Sequence, residues 1–119
     1  MITVYGLKNC DTCRKALKWL ADQDIDHRFH DVRNDGLDAA RIVGWVDAAG
    51  LEILVNRRST TWRNLSDAER EQAMGDKAVD FLTANVTLIK RPVIDNDGKI
   101  TIGFNAAVEA ALTPAKSIA

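Results

Sequence analysis

The stretch VYGLKNCDTCRKALKWL, residues 4–20, decides the fold and contains both cysteines of this 119-residue chain. The β-branched and aromatic residues at positions 2–5 predict a short strand that leads into it. Apolar residues then recur at helical spacing, at Cys13, Ala16, Leu17 and Leu20. This pattern predicts a helix to about Gln23, with Asp11 or Thr12 as its N-cap. The cysteines therefore lie at a junction between a strand and a helix.

The residues that follow complete a strand–helix–strand unit. Apolar Ile25 and Phe29 alternate with charged residues over positions 25–30, which predicts a second strand. A connection of this length that is built on a helix makes the two strands parallel.

The middle of the chain is predicted to be helical. From Gly36 onward, one helical face carries Ala39, Ile42, Val43, Val46 and Ala49. Residues 56–64 are polar and lack periodicity, which predicts a loop. A capping box at Ser66 opens another helix, which Gly75 breaks before a helical pattern resumes to Val86.

The last part of the chain predicts a hairpin and one more helix. Two apolar runs flank the sequence DNDG, residues 95–98, which is a hairpin signal. Asn105 can cap a final helix to Leu112. Pro114 and a frayed tail are expected to follow.

This order of elements predicts an α/β fold, with a thioredoxin/glutaredoxin-like core around a mixed four-stranded sheet and a helical insertion. We expect a single domain over residues 1–119, because a chain of this length suits one core. The core would comprise residues 1–33 and 88–114, and the insertion residues 36–87. A C-x-x-C pair after the first strand is the thioredoxin-like placement of a redox motif.

The composition limits the location and the partners. Sixteen Lys and Arg residues against seventeen Asp and Glu residues argue against a dedicated nucleic-acid-binding protein. No apolar run approaches the roughly 20 residues that span a bilayer. Charged residues also interrupt positions 1–20, where a signal peptide would be apolar. We therefore expect a cytoplasmic protein without membrane contact.

Cys10 is the candidate nucleophile. It lies where the first helix begins, and the free N–H groups and positive end of a helix favour a thiolate. Lys8 and Arg14 are close in sequence and would lower the thiol pKa further. Cys13 lies one turn on, within reach of a disulfide, and suits a resolving thiol. It also fits a buried structural residue, because it lies on the apolar stripe.

A zinc site of two cysteines and two histidines is the competing interpretation of the same residues. His27 and His30 are one residue closer than the usual H-x₃₋₅-H spacing. Side chains three apart on a strand also point to opposite faces. The sequence therefore favours redox chemistry, with no metal and no bound organic cofactor.

Arginines provide the candidate anion-binding groups, because guanidinium forks recognise oxyanions and carboxylates. In IKRPV, residues 89–93, the proline forces Arg91 into an extended conformation. Thioredoxin-like folds place a cis-proline here, against the active-site cysteine, so we expect a cis Arg91–Pro92 bond. Arg57 and Arg58 lie in the polar loop, and for Arg57 a solvated surface charge is the interpretation that we prefer.

Over nearly its whole length, the sequence closely resembles the arsenate reductase (ArsC) family, which includes the Spx regulators and the YffB-like proteins. YGLKNCDTCRKALKWL is similar to the family's active-site segment, with Cys10 on the catalytic cysteine. NRRSTTWRNL looks most like the YffB-type loop, with Arg58 on a family arginine. LIKRPV resembles the family's Arg-Pro segment, and IGFNAAV (residues 102–108) is similar to a turn of the Spx and YffB branches.

The sequence also departs from the family's pattern. Enzymes that reduce arsenate carry a third arginine, and the matching position here is Gly103. Their loop arginine aligns nearer Asn56. Spx proteins have a cysteine at the position of Cys13, whereas many arsenate reductases and YffB-like proteins do not. Arsenate is therefore expected to be reduced weakly or not at all.

The resemblance implies a cytosolic thiol-disulfide oxidoreductase that uses Cys10. It would be linked to glutathione as reductant or substrate, or to a glutaredoxin or thioredoxin. The alternative is a Spx-like redox-sensing transcriptional regulator that binds RNA polymerase. The expected catalytic residues are Cys10, Cys13 and Arg91. The expected substrate-binding residues are Asn9, Thr12, Arg14, Arg58 and Pro92.

Overall fold

The structure, a computed structural model, describes residues 1–113. Its strands are β1 (Ile2–Gly6), β2 (His27–Asp31), β3 (Val93–Asn96) and β4 (Lys99–Ile102). Its helices are α1 (Asp11–Asp22), α2 (Ala39–Ala49), α3 (Leu51–Leu54), α4 (Thr60–Arg63), α5 (Asp67–Met74), α6 (Ala78–Ala84) and α7 (Ala106–Leu112), with a 3₁₀ turn at Val86–Leu88. Pro114 and the expected tail lie outside the described residues.

The four strands form one mixed sheet in the order β2-β1-β3-β4. β1 is parallel to β2 and antiparallel to β3, and β3 and β4 form the predicted hairpin. The hairpin turn uses Asp97 and Gly98, both with positive φ (51° and 94°), as a tight two-residue turn requires. The predicted thioredoxin-like core with a mixed four-stranded sheet is confirmed.

Helices cover both faces of the sheet, so β1 is buried on both sides. Alternate residues of a strand point to opposite faces, and the two clusters of buried residues divide accordingly. On one face Val4 packs with Leu20 of α1 and Val108 of α7. On the other, Tyr5 packs with Trp45 of α2 and with apolar residues of the segments that follow. No helix within residues 1–113 is long and apolar enough to cross a membrane.

Two helix starts differ from the sequence prediction. The N-cap of α1 is Cys10 and not Asp11 or Thr12, because Cys10 has an extended backbone (φ −100°, ψ 120°) and Asp11 is already helical. Within the predicted loop 56–64, residues 60–63 form α4. Ser59 caps that helix by accepting a hydrogen bond from the Trp62 N–H at 3.1 Å.

The buried face of α2 also differs from the prediction. Val43, which was expected on the apolar face, is 43% exposed, whereas Trp45 is 2% exposed. Ile42 and Trp45, three residues apart, are the residues of α2 that are buried. Trp45 meets the Tyr5 ring edge-on at 5.0 Å between centroids, so this aromatic contact sets the orientation of the helix.

Candidate active site

Cys10 lies at the start of α1, directly after the loop that leaves β1. Its backbone N–H donates to the Leu7 carbonyl at 3.2 Å, and its carbonyl accepts from the Arg14 N–H at 3.0 Å. These bonds hold the backbone of Cys10 from both sides. Its side chain is partly exposed, whereas Cys13 is buried.

The surroundings of Cys10 favour the thiolate. Burial raises the pKa of the Cys10 thiol, but the backbone N–H and thiol of Cys13, together with the Arg91 guanidinium, outweigh burial and lower that pKa below 9.0. As a thiol, Cys10 makes no capping hydrogen bond to the described part of the helix. A thiolate is the better acceptor for the Cys13 N–H, because a hydrogen bond to an ion is stronger than one to a neutral group.

Arg14 and Lys8 do not act on Cys10 in the way that their place in the sequence suggests. The Arg14 Nε donates to the Lys8 carbonyl at 2.9 Å, and its guanidinium lies 3.6 Å from the Asp11 carboxylate. The pKa of Cys10 is lowered by Cys13 and Arg91 instead. The helix end therefore contributes as expected, but the cation that matters comes from a distant part of the chain.

Cys13 is fully enclosed beneath Cys10. Its exposed fraction is 0%, and burial is the main cause that raises the pKa of its thiol to about 12. Gly6 at the end of β1 makes room for it, because a β-carbon at Gly6 would overlap the Cys13 sulfur. The strand and the helix thus approach each other closely at Gly6 and Cys13.

The Cys10 side chain opens into a cleft of about 440 Å³, which we call the cysteine cleft. Three arginines from separate parts of the chain line it: Arg33 after β2, Arg58 before α4 and Arg91 before β3. The remaining lining residues are Leu7, Asn9, Asn56, Ser59, Thr60, Thr61 and Thr87. A cleft with a thiol and three guanidinium groups suits an anionic ligand that reacts at sulfur.

Arg91 is held in place by the backbone. One terminal nitrogen donates to the Thr87 carbonyl at 2.9 Å and to the Ile89 carbonyl at 3.5 Å. Its Nε is buried and has no hydrogen-bond partner within residues 1–113. A buried donor without a partner is costly, and a thiolate at Cys10 or an anion bound beside it would satisfy it. The Arg91–Pro92 bond is cis, as predicted.

The loop that carries Arg58 is tied to the segment that carries Arg91. Val55 and Ile89 form an isolated antiparallel bridge, and the Asn56 N–H donates to the Leu88 carbonyl at 2.7 Å. Within the loop, the Arg58 N–H donates to the Asn56 side-chain oxygen at 3.2 Å. The two arginines therefore lie on neighbouring, hydrogen-bonded backbone segments.

Comparison with known proteins shows which family the chain belongs to. The model of the ArsC family matches residues 5–111. This protein is a member of the ArsC family. The predicted place in its YffB-like and Spx-like branch is confirmed by individual relatives and solved structures.

An uncharacterized protein of Haemophilus influenzae is 54% identical to this ArsC-family chain over 105 residues, which cover 88% of this chain and 92% of the relative. A solved structure named YFFB protein matches with a TM-score of 0.86 at 33% identity, covering 93% of this chain and 97% of that one. A global transcriptional regulator Spx of Streptococcus pyogenes is 27% identical over 107 residues, which cover 88% of this chain and 79% of the regulator.

In this ArsC-family cleft, the structure brings together four of the residues expected from the sequence: Asn9, Cys10, Arg58 and Arg91. Cys13 lies beneath Cys10, whereas Thr12, Arg14 and Pro92 are not among the residues that line the cleft. The sequence analysis named Arg58 and Arg91 but missed Arg33, which lines the same cleft. The parallel pairing of β1 and β2 could have revealed Arg33, because the carboxyl ends of parallel strands meet at one edge of a sheet.

The two histidines are engaged elsewhere. The ring of His27 shares a hydrogen bond with the Ile25 carbonyl at 2.8 Å, and that of His30 with the Gly36 carbonyl at 2.7 Å. His30 also packs on Tyr5, with 4.9 Å between ring centroids. Within residues 1–113, no group of three or more His, Cys, Asp or Glu side chains is placed to hold a metal ion.

Proposed function

We propose that this ArsC-family protein is a thiol-disulfide oxidoreductase, linked to glutathione, in which Cys10 is the nucleophile. One observation carries the proposal: a thiol of lowered pKa opens into an arginine-lined cleft, beside a buried Arg91 N–H that has no hydrogen-bond partner among the described residues. A lowered pKa increases the fraction of Cys10 that is thiolate at a given pH, and the thiolate is the reactive form. The cytoplasmic location expected from the sequence suits a glutathione-linked reaction.

The reaction begins with a disulfide between glutathione and a second thiol compound. The Cys10 thiolate attacks the glutathione sulfur, a bond forms between these two sulfurs, and the substrate's own S–S bond breaks. The other thiol leaves as a thiolate and takes a proton from water. A second glutathione thiolate then attacks the adduct, Cys10 is released as a thiolate, and oxidised glutathione departs. In total, one glutathione thiol from solution is consumed, the second thiol compound is released, and the disulfide passes to oxidised glutathione.

We assign the second step to glutathione from solution and not to Cys13. Cys13 is enclosed, and its pKa of about 12 keeps it protonated at neutral pH. The negative charge of Cys10 contributes to that shift and disappears in the adduct, but burial is the larger cause and persists. Cys13 then acts on Cys10 through its N–H and thiol, as a hydrogen-bond donor.

Arsenate is the less suitable substrate on the same geometry. The arsenate-reducing enzymes that this sequence resembles carry an arginine at the position that matches Gly103. The Gly103 N–H donates to the Pro92 carbonyl at 2.8 Å, so its only donor is already engaged. Arg33 adds a third guanidinium to the cleft, but it comes from the segment after β2 and not from the position of Gly103.

Steady-state turnover tests the proposal. A mixed disulfide of glutathione with a small thiol is reduced by glutathione in the presence of wild type, Cys10→Ser or Cys13→Ser, and arsenate is assayed in parallel. We expect Cys10→Ser to abolish turnover and Cys13→Ser to retain most of it, with arsenate turned over slowly or not at all. Wild-type turnover that is absent, or that survives Cys10→Ser, would contradict the proposal.

A redox-sensing regulator is the second candidate, favoured by one observation. Cys10 and Cys13 lie close enough to hydrogen-bond through their side chains, and a relative named Spx shares 27% of its residues over 107 positions. A regulator of this kind would bind RNA polymerase only in one state of a Cys10–Cys13 disulfide and would show no turnover. Binding measured with oxidised and reduced protein, set beside the turnover assay, separates the two candidates.

A further inference from the structure

A second cleft adjoins the cysteine cleft. It has a volume of about 440 Å³ and is lined by residues that include Glu52, Arg57 and Lys90, so we call it the lysine cleft. Asn56 and Arg58 line both clefts. A ligand that reacts at Cys10 can therefore extend past Arg58 into the lysine cleft.

The charges of the lysine cleft are not paired with one another. Arg57 and Lys90 are cations, Glu52 is an anion, and all three are exposed. Within residues 1–113, none of the ion pairs involves any of these side chains. Charges of both signs are thus free to bind a ligand that itself carries both.

The backbone fixes where these charges lie. The Lys90 N–H donates to the Leu54 carbonyl at 2.7 Å, which ties Lys90 to α3, the helix that contains Glu52. The Lys90 side chain lies against Gly103, where a β-carbon would be 3.4 Å from the Lys90 Cε. Lys90 and Arg91 are consecutive, yet one lines the lysine cleft and the other the cysteine cleft.

We propose that the lysine cleft binds the zwitterionic end of a thiol peptide whose sulfur reacts at Cys10. Arg57 and Lys90 would bind the α-carboxylate, and Glu52 the α-ammonium group. A ligand with carboxylates alone would leave Glu52 facing a like charge, so the mixed signs favour an amino-acid end. An extended tripeptide spans about 10 Å, and clefts of about 300–1,000 Å³ are typical of small-molecule sites. This assignment rests on the proposed function, because it adds a second contact for the same substrate.

An NMR titration tests the assignment without turnover. The probes are S-methylglutathione, which is redox-inert and keeps the zwitterionic γ-glutamyl end, and its deaminated N-glutaryl analogue. We expect wild type to bind S-methylglutathione about three- to tenfold more tightly than the analogue. Glu52→Gln should remove this preference, and Lys90→Gln should weaken both ligands. Lys99→Gln, which changes an exposed lysine of β4, is the matched control and should change neither affinity.

The outcomes separate this inference from the proposed function. A ligand preference that Glu52→Gln leaves unchanged would overturn the zwitterion site. NMR chemical-shift changes confined to the cysteine cleft, or no chemical-shift changes at all, would overturn it as well. The redox proposal is decided independently, by Cys10-dependent turnover. If wild type prefers S-methylglutathione in a Glu52-dependent way but shows no Cys10-dependent turnover, the redox proposal alone is overturned.

Discussion

Two thiols one helical turn apart have opposite properties in this protein. Cys10 is partly exposed, and its pKa is lowered by Cys13 and Arg91 against the effect of burial. Cys13 is enclosed, and burial raises its pKa to about 12. One thiol is therefore more acidic than a free cysteine, whereas the other donates to it and remains protonated at neutral pH.

Replacing Arg91 by Gln should make Cys10 less acidic. The guanidinium lowers the Cys10 pKa through a hydrogen bond and through its charge, so its loss should slow alkylation by iodoacetamide at pH 7 by about three- to tenfold. The rate of alkylation against pH, with peptide mapping to separate the two cysteines, measures this effect. Arg14→Gln is the matched control, because Arg14 contacts the Lys8 carbonyl and Asp11. A larger effect from Arg14→Gln would contradict the assignment.

At the level of elements, the contact between β1 and α1 depends on Gly6. A β-carbon at that position would overlap the Cys13 sulfur and lie 3.3 Å from the Cys13 Cβ. We expect Gly6→Ala to lower the free energy of unfolding by about 1–3 kcal/mol, as overpacking of a core does. Because the overlap is with sulfur, the cost should fall by at least about half in a Cys13→Ala background. Urea unfolding of the four proteins measures this coupling, and equal costs in both backgrounds would rule it out.

The short helix α4 orients the turn that carries Arg58. The Ser59 hydroxyl accepts from the Trp62 N–H at 3.1 Å and donates to the Asn56 carbonyl at 2.8 Å. Ser59→Ala should cost about 1 kcal/mol of stability. It should also raise the KM for the glutathione mixed disulfide, because Ser59 holds Asn56, and the Asn56 side chain accepts from the Arg58 N–H.

Ser66→Ala is the matched control for this prediction. Ser66 caps α5 by accepting from the Glu69 N–H at 3.2 Å, and it is not among the residues that line either cleft. We expect a similar loss of stability from Ser66→Ala in urea unfolding, with an unchanged KM. A rise in KM of equal size for both variants would show that general destabilisation, and not the Arg58 turn, is responsible.

For the whole molecule, the titration of Cys13 predicts a weakness at alkaline pH. The unfolded thiol loses its proton near pH 9.0, whereas the folded thiol keeps it to about 12. The folded state therefore binds more protons in this window, and its stability falls as pH rises from about 9. The Cys13→Ala variant should not lose this stability, because it has no thiol at position 13 to titrate. Urea midpoints of both proteins at pH 7, 9 and 10 should show wild type losing stability relative to Cys13→Ala, and parallel curves would contradict the burial of the thiol.

Much of this fold follows from local pattern. The period-two and helical runs around the cysteines predict β1, α1 and β2, and the DNDG turn predicts the hairpin, because each depends on neighbouring residues. The face of α2 does not follow from pattern. Its orientation depends on the packing of Trp45 against Tyr5, a contact between residues 40 positions apart in the sequence.

The candidate active site was also predictable only in part. Cys10 and Arg91 are marked by a C-x-x-C motif and by a proline, and both are local signals. Arg33 carries no local signal and reaches the cysteine cleft only because β2 lies parallel to β1. The predicted effect of Arg14 on the Cys10 pKa was wrong for the opposite reason. Arg14 is close to Cys10 in sequence, but its side chain is bound to the Lys8 carbonyl of its own loop.

The position of Cys10 at the head of α1 also bears on how long a covalent adduct survives. Groups that stabilise a thiolate make it a better leaving group, and they favour the reduced form of the protein over any disulfide that it forms. An adduct on Cys10 is therefore easily displaced, and its reduction potential is shifted toward the oxidising end. Under the proposed function, Cys10 would therefore pass sulfur-bound groups on quickly and return to its free thiolate, with little tendency to accumulate in the modified form.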